Sequence, residues 1–359
     1  MTDFGFVVHP VDARRDVARK FPIARFLPTP LIEAALTRMK PMRLSTGVTV
    51  RSEAGAETSG HFVGCPVTPN MLMRMPESKA YRIIGDAVKE AADLGAEVVG
   101  LGAFTAVVGD GGETIALNAP VAVTTGNSYT VATAIEGALR AAELMEIDVS
   151  SAKLAVVGAT GSIGKTCVQV MAPLFAATAL IGRDRARVEE VRELVSKNGA
   201  CVTVAGDLAE GLRDADVVVT VTSAGTEIIE PSHLKPGAVV CDVARPRDVS
   251  WRVARERDDV LVVEGGVVAV PGQVDFGFDF GFPKNTAYAC MCETMLLALE
   301  GRKESYTVGK TVTVEQVREM SELARKHGFR LAGFRSFERE VPAEEIERIR
   351  ANARRRRSG

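Results

Sequence analysis

Apolar residues along the chain follow two rhythms. In the first third, short apolar runs at 5–8 and 48–50 read as strands, and the polar run 52–60 reads as a turn. Over 79–94 the apolar positions Ile83, Ile84, Ala87, Val88, Ala91 and Leu94 recur at helical spacing and stop at Gly95. That spacing predicts an amphipathic helix, and 97–101 directly after it reads as a buried strand. Gly126-Asn127-Ser128 punctuates the chain before a run of good helix formers at 130–145, with Asn127 or Ser128 as N-cap. Strand and helix alternate, which indicates α/β layering.

From Lys153 the rhythm becomes regular. Continuous Val/Ala/Ile runs at 154–157, 179–181, 217–221, 238–241 and 260–263 are separated by helical or turn segments. Runs without alternation are expected where both faces of a parallel sheet are covered, so this region predicts a doubly wound Rossmann sheet. Past Val270 the chain turns Phe/Gly-rich (VPGQVDFGFDFGFP), then carries helical patterns at 285–300 and 313–327 and a charged tail ending in four arginines, 354–357. The predicted organisation is α/β throughout. An N-terminal α/β domain spans 1–148 and a Rossmann domain 149–272. A helical segment, 273–331, carries a candidate nucleophile, returns to the first domain and packs at the cleft; a charged tail covers 332–359. No internal repeat is present.

Composition narrows the function classes. With 44 Lys+Arg against 46 Asp+Glu in 359 residues, the net charge of −2 leaves no global footprint for nucleic acid or a membrane surface. No apolar run approaches the ~20 residues of a bilayer span. The first 25 residues, broken by His9, Pro10 and several arginines, do not read as a secretory signal, so the expected address is cytoplasmic. Six scattered cysteines make no disulfide framework, and neither the Cys290/Cys292 pair nor the four dispersed histidines has metal-site spacing.

The strongest motif is a strand running into Gly158-Ala159-Thr160-Gly161-Ser162-Ile163-Gly164 and then a helix. Such glycines serve a tight turn, close approach to a pyrophosphate and helix–strand packing, while the helix start offers free N–H groups to phosphate. Gly158, Thr160, Gly161, Ser162, Ile163 and Gly164 are therefore candidate cofactor ligands. After the next strand the chain reads Ile181-Gly182-Arg183-Asp184. Either Arg183 grips a 2′-phosphate, giving NADPH, or Asp184 bonds a ribose and Arg183 is a solvated charge; the reading favours NADPH. Thr222, Ser223, Ala224 and Gly265, at later strand ends, are candidates for the nicotinamide pocket.

On the 285–300 helix, Cys292 joins the apolar stripe of Tyr288, Met295, Leu296 and Leu299, while Cys290 falls toward Thr286, Glu293 and Thr294. A positive helix end and Lys284 would favour thiolate at Cys290 and lower its pKa from about 8.5, which suits acyl transfer followed by hydride delivery. Lys284 could equally meet only solvent, and a buried, inert thiol is the ordinary fate of a cysteine.

Five stretches, LGAFTAVVGD (101–110), TTGNSYTVATA (124–134), VVGATGSIG (156–164), ACMCETMLLALE (289–300) and KHGFR (326–330), together resemble the long-chain acyl-[acyl-carrier-protein] reductases of cyanobacteria, in order from about residue 6 to 331. The resemblance implies an acyl thioester on Cys290, taken from acyl carrier protein or coenzyme A and reduced by NADPH to a fatty aldehyde, with an aldehyde-consuming enzyme as a further partner. It also places Asn127, Ser128 and Thr130 at the substrate cleft. The chain departs from the family at Tyr129, where the family has His, in a shorter 266–290 stretch, and in residues beyond 331. Phe276, Phe278, Phe280 and Phe282 line an acyl tunnel or form one face of a buried strand. TTGNSYT and PVTPN (66–70) also resemble shikimate dehydrogenase loops, but the Asp and Lys that enzyme needs are missing, so that likeness concerns architecture. Two alternatives stand beside the thioester reductase: a non-covalent NADP-dependent dehydrogenase of a small hydroxy or keto acid, and a non-catalytic NADP-sensing protein. The arginine tail is either a solvated terminus or a lure for an acidic carrier.

Overall fold

The computed structural model describes residues 2–45, 47–277 and 283–358. The chain divides into two compact units: Met1–Tyr129 with Val268–Thr311 and Glu319–Arg330, and Thr130–Val267 with Val312–Arg318 and Leu331–Gly359. Both are mixed α/β units built on parallel strands.

The first unit holds β1 (Phe4–Val8), β2 (Met42–Arg43), β3 (Val48–Arg51), β4 (Glu57–Gly64), β5 (Val98–Leu101) and β6 (Ala122–Thr124), in the order β2-β4-β1-β5-β6 with β3 beside β4. Strands β4, β1, β5 and β6 run parallel, with Phe4 opposite Gly60 and Val98; β2 and β3 are antiparallel to β4. Helix α1 (Glu77–Asp93) buries Ala80, Ile84, Ala87, Val88 and Ala91, the stripe read from the sequence. It lies close to β1 because Gly5 has no side chain: a Cβ there would stand 2.7 Å from Ala91 Cβ. Strand β4 corrects the turn expected over 52–60. Its inward positions include Thr58 and Gly60 and its outward ones are polar, so an apolar pattern emerges only at Phe62 and Val63.

The second unit is a six-stranded, all-parallel sheet: β7 (Lys153–Val157), β8 (Ala177–Ile181), β9 (Val202–Val204), β10 (Val217–Thr220), β11 (Val239–Asp242) and β12 (Leu261–Glu264), ordered β12-β11-β10-β7-β8-β9. All four residues of β10 and of β11 are buried, which is why their sequences are unbroken Val-rich runs. The order reverses beside β7, so the switch point lies between the carboxyl ends of β7 and β10.

The arginine tail is solvent-facing, as one reading of the sequence expected, with residues 354–357 exposed, but it is ordered. It forms a helix, Ala343–Ser358, that buries Ile346, Ile349 and Ala353. Arg350 donates to Leu144 O at 3.2 Å and pairs with Glu146 at 3.1 Å, Arg354 also pairs with Glu146, and Arg356 meets Asp258 at 2.7 Å and Asp259 at 3.2 Å. These ion pairs lie within the second unit.

Candidate functional site

Each unit holds a candidate element of its own. In the second, the turn after β7 is closed by Gly158 N–H and Ala159 N–H donating to Ile181 O at 2.9 and 3.1 Å. Gly158 has φ +85°, and a Cβ on it would stand 2.6 Å from Val221 O. A Cβ on Gly164 would collide with Gly158 O. Only glycine fits at either position, for the reasons a dinucleotide loop requires. Helix α3 (Ser162–Met171; α2 is taken up below) starts from Gly161 with no side chain capping it, which leaves its opening to an anion. Thr160, Ser162 and Ile163 are half-buried along this loop, and Gly161 is exposed.

Beyond β8, Arg183 is exposed. Asp184 is occupied: its carboxylate accepts the Arg187 N–H at 3.2 Å as the N-cap of the helix Arg185–Ser196. Thr222 braces its loop: its hydroxyl donates to Asp248 at 2.5 Å, and its N–H donates to the same carboxylate at 3.0 Å. Ser223 and Ala224 are exposed. Gly265 is buried under Val243 and Cys241, where a Cβ would meet Val243 Cγ2 at 2.8 Å. It is a packing glycine.

Behind Thr222 lies a buried acidic pair that the sequence did not single out. Asp248 accepts from Thr220 at 2.6 Å, and Asp242 accepts the N–H groups of Ala244, Asp248 and Val249, each at 3.0 Å. Burial pushes the Asp242 carboxyl up to about 7 against the pull of nearby Arg245 and its N–H donors.

In the first unit, Cys290 lies in the opening turn of α4 (Ala289–Leu299). This corrects the helix start expected at 285. Asn285 has φ +60° and its side chain accepts the Val274 N–H at 2.7 Å; Thr286–Tyr288 are extended, and the helix begins only at Ala289. Lys284 is exposed in the preceding turn. Cys290 is half-buried and Cys292 fully buried, and burial holds the Cys292 thiol well above its ordinary range. Close against Cys290 stands Gly126 (φ +74°), where any Cβ would overlap the Cys290 Cα and Cβ. On the sheet side, Gly100 of β5 lets α4 approach, since a Cβ there would collide with Thr294.

One turn along from Cys290, Glu293 is fully buried. Its Oε1 accepts from Thr124 at 2.5 Å and Thr307 at 2.6 Å, and its Oε2 from Ser128 at 2.6 Å and the Tyr129 N–H at 2.9 Å. Four donors suit an acceptor-only carboxylate. Helix α2 (Asn127–Leu144) starts at Asn127, so Asn127 and Ser128 lie inside its first turn and neither is the N-cap expected. The Glu293 carboxylate does that work from α4 by taking a first-turn N–H, where the helix dipole favours negative charge. Thr307 holds φ +45°, a strained setting for a β-branched residue; its hydroxyl serves Glu293 and its carbonyl accepts from Thr125. Glu293 was visible only as an ionisable residue inside the apolar run MCETMLLAL. Ser128 is buried rather than lining open space, whereas Asn127 and Thr130 are half-buried.

Phe276 is 6% exposed and meets Phe62 edge-on at 5.9 Å, beside Phe4 and Phe6. It packs in an aromatic cluster instead of lining a tunnel. Phe278, Phe280 and Phe282 lie outside the described residues.

Residues 140–264 match the sequence model of the shikimate / quinate 5-dehydrogenase family. The match falls inside the second unit and excludes the loops at 66–70 and 124–128. The chain is 32% identical over 284 residues to the aminotransferase PigE of Serratia sp., covering 78% of this chain but only 33% of that protein, so it spans about a third of that relative's length. It is 26% identical over 343 residues to the long-chain acyl-[acyl-carrier-protein] reductase of Synechococcus elongatus, covering 91% of this chain and 98% of that one. Among solved structures, shikimate 5-dehydrogenase from Listeria monocytogenes aligns over 90% of this chain and 96% of its own at 11% identity and a TM-score of 0.37. The chain therefore carries an NAD(P)-binding fold of the oxidoreductase type, similar in its second unit to shikimate dehydrogenase.

Proposed function

We propose that the protein is an NADPH-dependent reductase of acyl thioesters that works through an acyl-enzyme on Cys290. The observation that carries this reading is the built environment of that thiol. Cys290 is half-buried in a helix's first turn, held against Gly126, with Glu293 one turn along fixing the loop 124–129 by four hydrogen bonds. Cys292, by contrast, is fully buried in the core. The near full-length likeness to an acyl-[acyl-carrier-protein] reductase supports the substrate class.

The Cys290 sulfur attacks the carbonyl carbon of an acyl-carrier-protein or acyl-CoA thioester. A new C–S bond forms, the old one breaks, and the carrier thiol leaves with a proton. NADPH, if bound at this loop, would supply hydride to the carbonyl carbon of the Cys290 thioester. The hemithioacetal anion formed on Cys290 would collapse by breaking its C–S bond, releasing a fatty aldehyde, and the sulfur would take a proton from solvent to restore the thiol. N–H groups in the first turn of α4 stabilise negative charge at this end of the helix. Gly158 and Gly164 would admit the pyrophosphate, α3 would offer its uncapped start, and Arg183 would take the 2′-phosphate while Asp184 serves as a helix cap.

The family match at 140–264 favours a second reading, a dehydrogenase of a small hydroxy or keto acid with no covalent step. Cys290→Ala separates the two. Under the thioester reading this variant binds NADPH as the parent does and loses acyl-CoA reduction by at least about a thousandfold. Full turnover by the variant, on any substrate the parent reduces, removes the covalent route.

A further inference from the structure

The net charge of −2 hides a local asymmetry. Residues 11–40 hold seven Lys and Arg against three Asp and Glu, a net charge of +4. They fold as the helix Ala13–Lys20, the short 3-10 turn Pro22–Phe26 and the helix Thr29–Leu36. Ile32 and Leu36 are buried, at 3% and 5% exposed, but elsewhere in the segment the usual rule of burial is inverted. Small residues face the protein: Ala13, Ala18 and Ala24 are 6%, 6% and 3% exposed. Large apolar ones face outward: Ile23 is 67% exposed, Phe26 81%, Leu31 55% and Phe21 41%. Single exposed apolar residues are ordinary, but a cluster of this kind within so short a stretch marks a contact surface. Beside them is a recess of about 490 Å³ lined by Asp12, Arg14, Arg15, Ala18, Arg25 and Thr29. Three arginines against the single carboxylate of Asp12 leave its wall net positive, which suits a phosphate, while the large apolar side chains lie outside it.

We propose that residues 11–40 form a docking face for an anionic phospholipid surface. Phe26, Ile23 and Leu31 enter the acyl boundary, and the arginines meet lipid phosphate at the recess. Both halves of the surface are then satisfied at once, as for a peripheral amphipathic anchor. No helix among the described residues is long and apolar enough to cross a membrane, so the contact lies in the interface plane. An acidic helical protein would answer the charge, but it would leave side chains as protruding as Phe26 to find a matching apolar groove of its own.

Flotation of the full chain with vesicles of equal phosphatidylglycerol and phosphatidylcholine tests this directly. The parent floats with these vesicles, does not float with pure phosphatidylcholine, and is released as salt rises from about 50 to 500 mM. Phe26→Ala lowers the partition coefficient about tenfold, and Arg25→Ala about fivefold. Both side chains are exposed, so unchanged melting curves show that each variant is folded. Equal binding to neutral vesicles, or vesicle binding that neither variant weakens, overturns the proposal. So does a result in which the variants lose saturable binding to an acidic acyl carrier protein while still floating as the parent does.

Discussion

Replacing Glu293 separates a structural keystone from an incidental buried acid. In Glu293→Ala, Thr124 and Thr307, whose hydroxyls stand 3.0 Å apart, can bond each other, but the buried Tyr129 N–H and Ser128 hydroxyl lose their acceptor. Two stranded buried donors at roughly 1–3 kcal/mol each, plus the void left by the side chain, give a loss of about 4 kcal/mol. Glu293→Gln keeps the shape. Its amide nitrogen can face the two threonines, whose hydroxyls turn to accept, while its oxygen still takes the Tyr129 N–H. Only the charge assistance goes, about 2 kcal/mol. Urea unfolding midpoints measure both losses. Native-state alkylation of Cys290 by iodoacetamide reports the local effect, because the same bonds hold Gly126 and its loop against the thiol; the rate rises in both variants, more in the alanine one. An alanine variant within about 0.5 kcal/mol of the parent, with an unchanged alkylation rate, refutes the claim that Glu293 frames the site.

Further predictions follow from other contacts. Gly126→Ala puts a methyl group into Cys290 at a positive φ, so it should destabilise by about 3 kcal/mol or more and displace the thiol, read by unfolding and by alkylation. Arg183→Ala should weaken NADPH binding about ten- to a hundredfold and leave NADH binding nearly unchanged in fluorescence titrations; equal losses remove the 2′-phosphate assignment. The Asp242 carboxyl titrates near 3.8 unfolded and at about 7 folded, so the native state binds the extra proton between these values and stability falls as pH rises through that window. Asp242→Asn should lower stability by about 1–3 kcal/mol, since its amide faces an N–H donor, yet flatten that slope; a variant with the parent's slope contradicts the assignment.

How much of this was legible in the residues depended on whether the decisive partner was local. The strands of the second unit declared themselves because burial on both faces favours apolar residues, as at 217–219, with the buried Thr220 hydroxyl satisfied by Asp248. The glycine loop was legible because its steric demands act between near neighbours and adjacent strands. Strand β4 was not, because its inward Thr58 and Gly60 carry no apolar signature. The start of α4 was missed because a long-range bond from the Val274 N–H holds Asn285 in a left-handed turn. The ion pairs of the arginine tail were not legible because its carboxylate partners, Glu146, Asp258 and Asp259, lie about a hundred residues or more away in sequence. Cys290 could be told from Cys292 by helical phase alone, but Glu293 could not be recognised as its neighbouring anchor without Thr124, Ser128 and Thr307, which the fold brings from two other segments.

The central claim is that one particular sulfur captures the acyl group. Intact-mass spectrometry of the protein mixed with a long-chain acyl-CoA, without NADPH, tests it most directly. The account predicts a single acyl adduct that maps to the peptide containing Cys290, is absent in Cys290→Ala, and disappears when NADPH is added as aldehyde forms. An unmodified protein that nonetheless reduces the thioester, or an adduct that persists in Cys290→Ala, would contradict it.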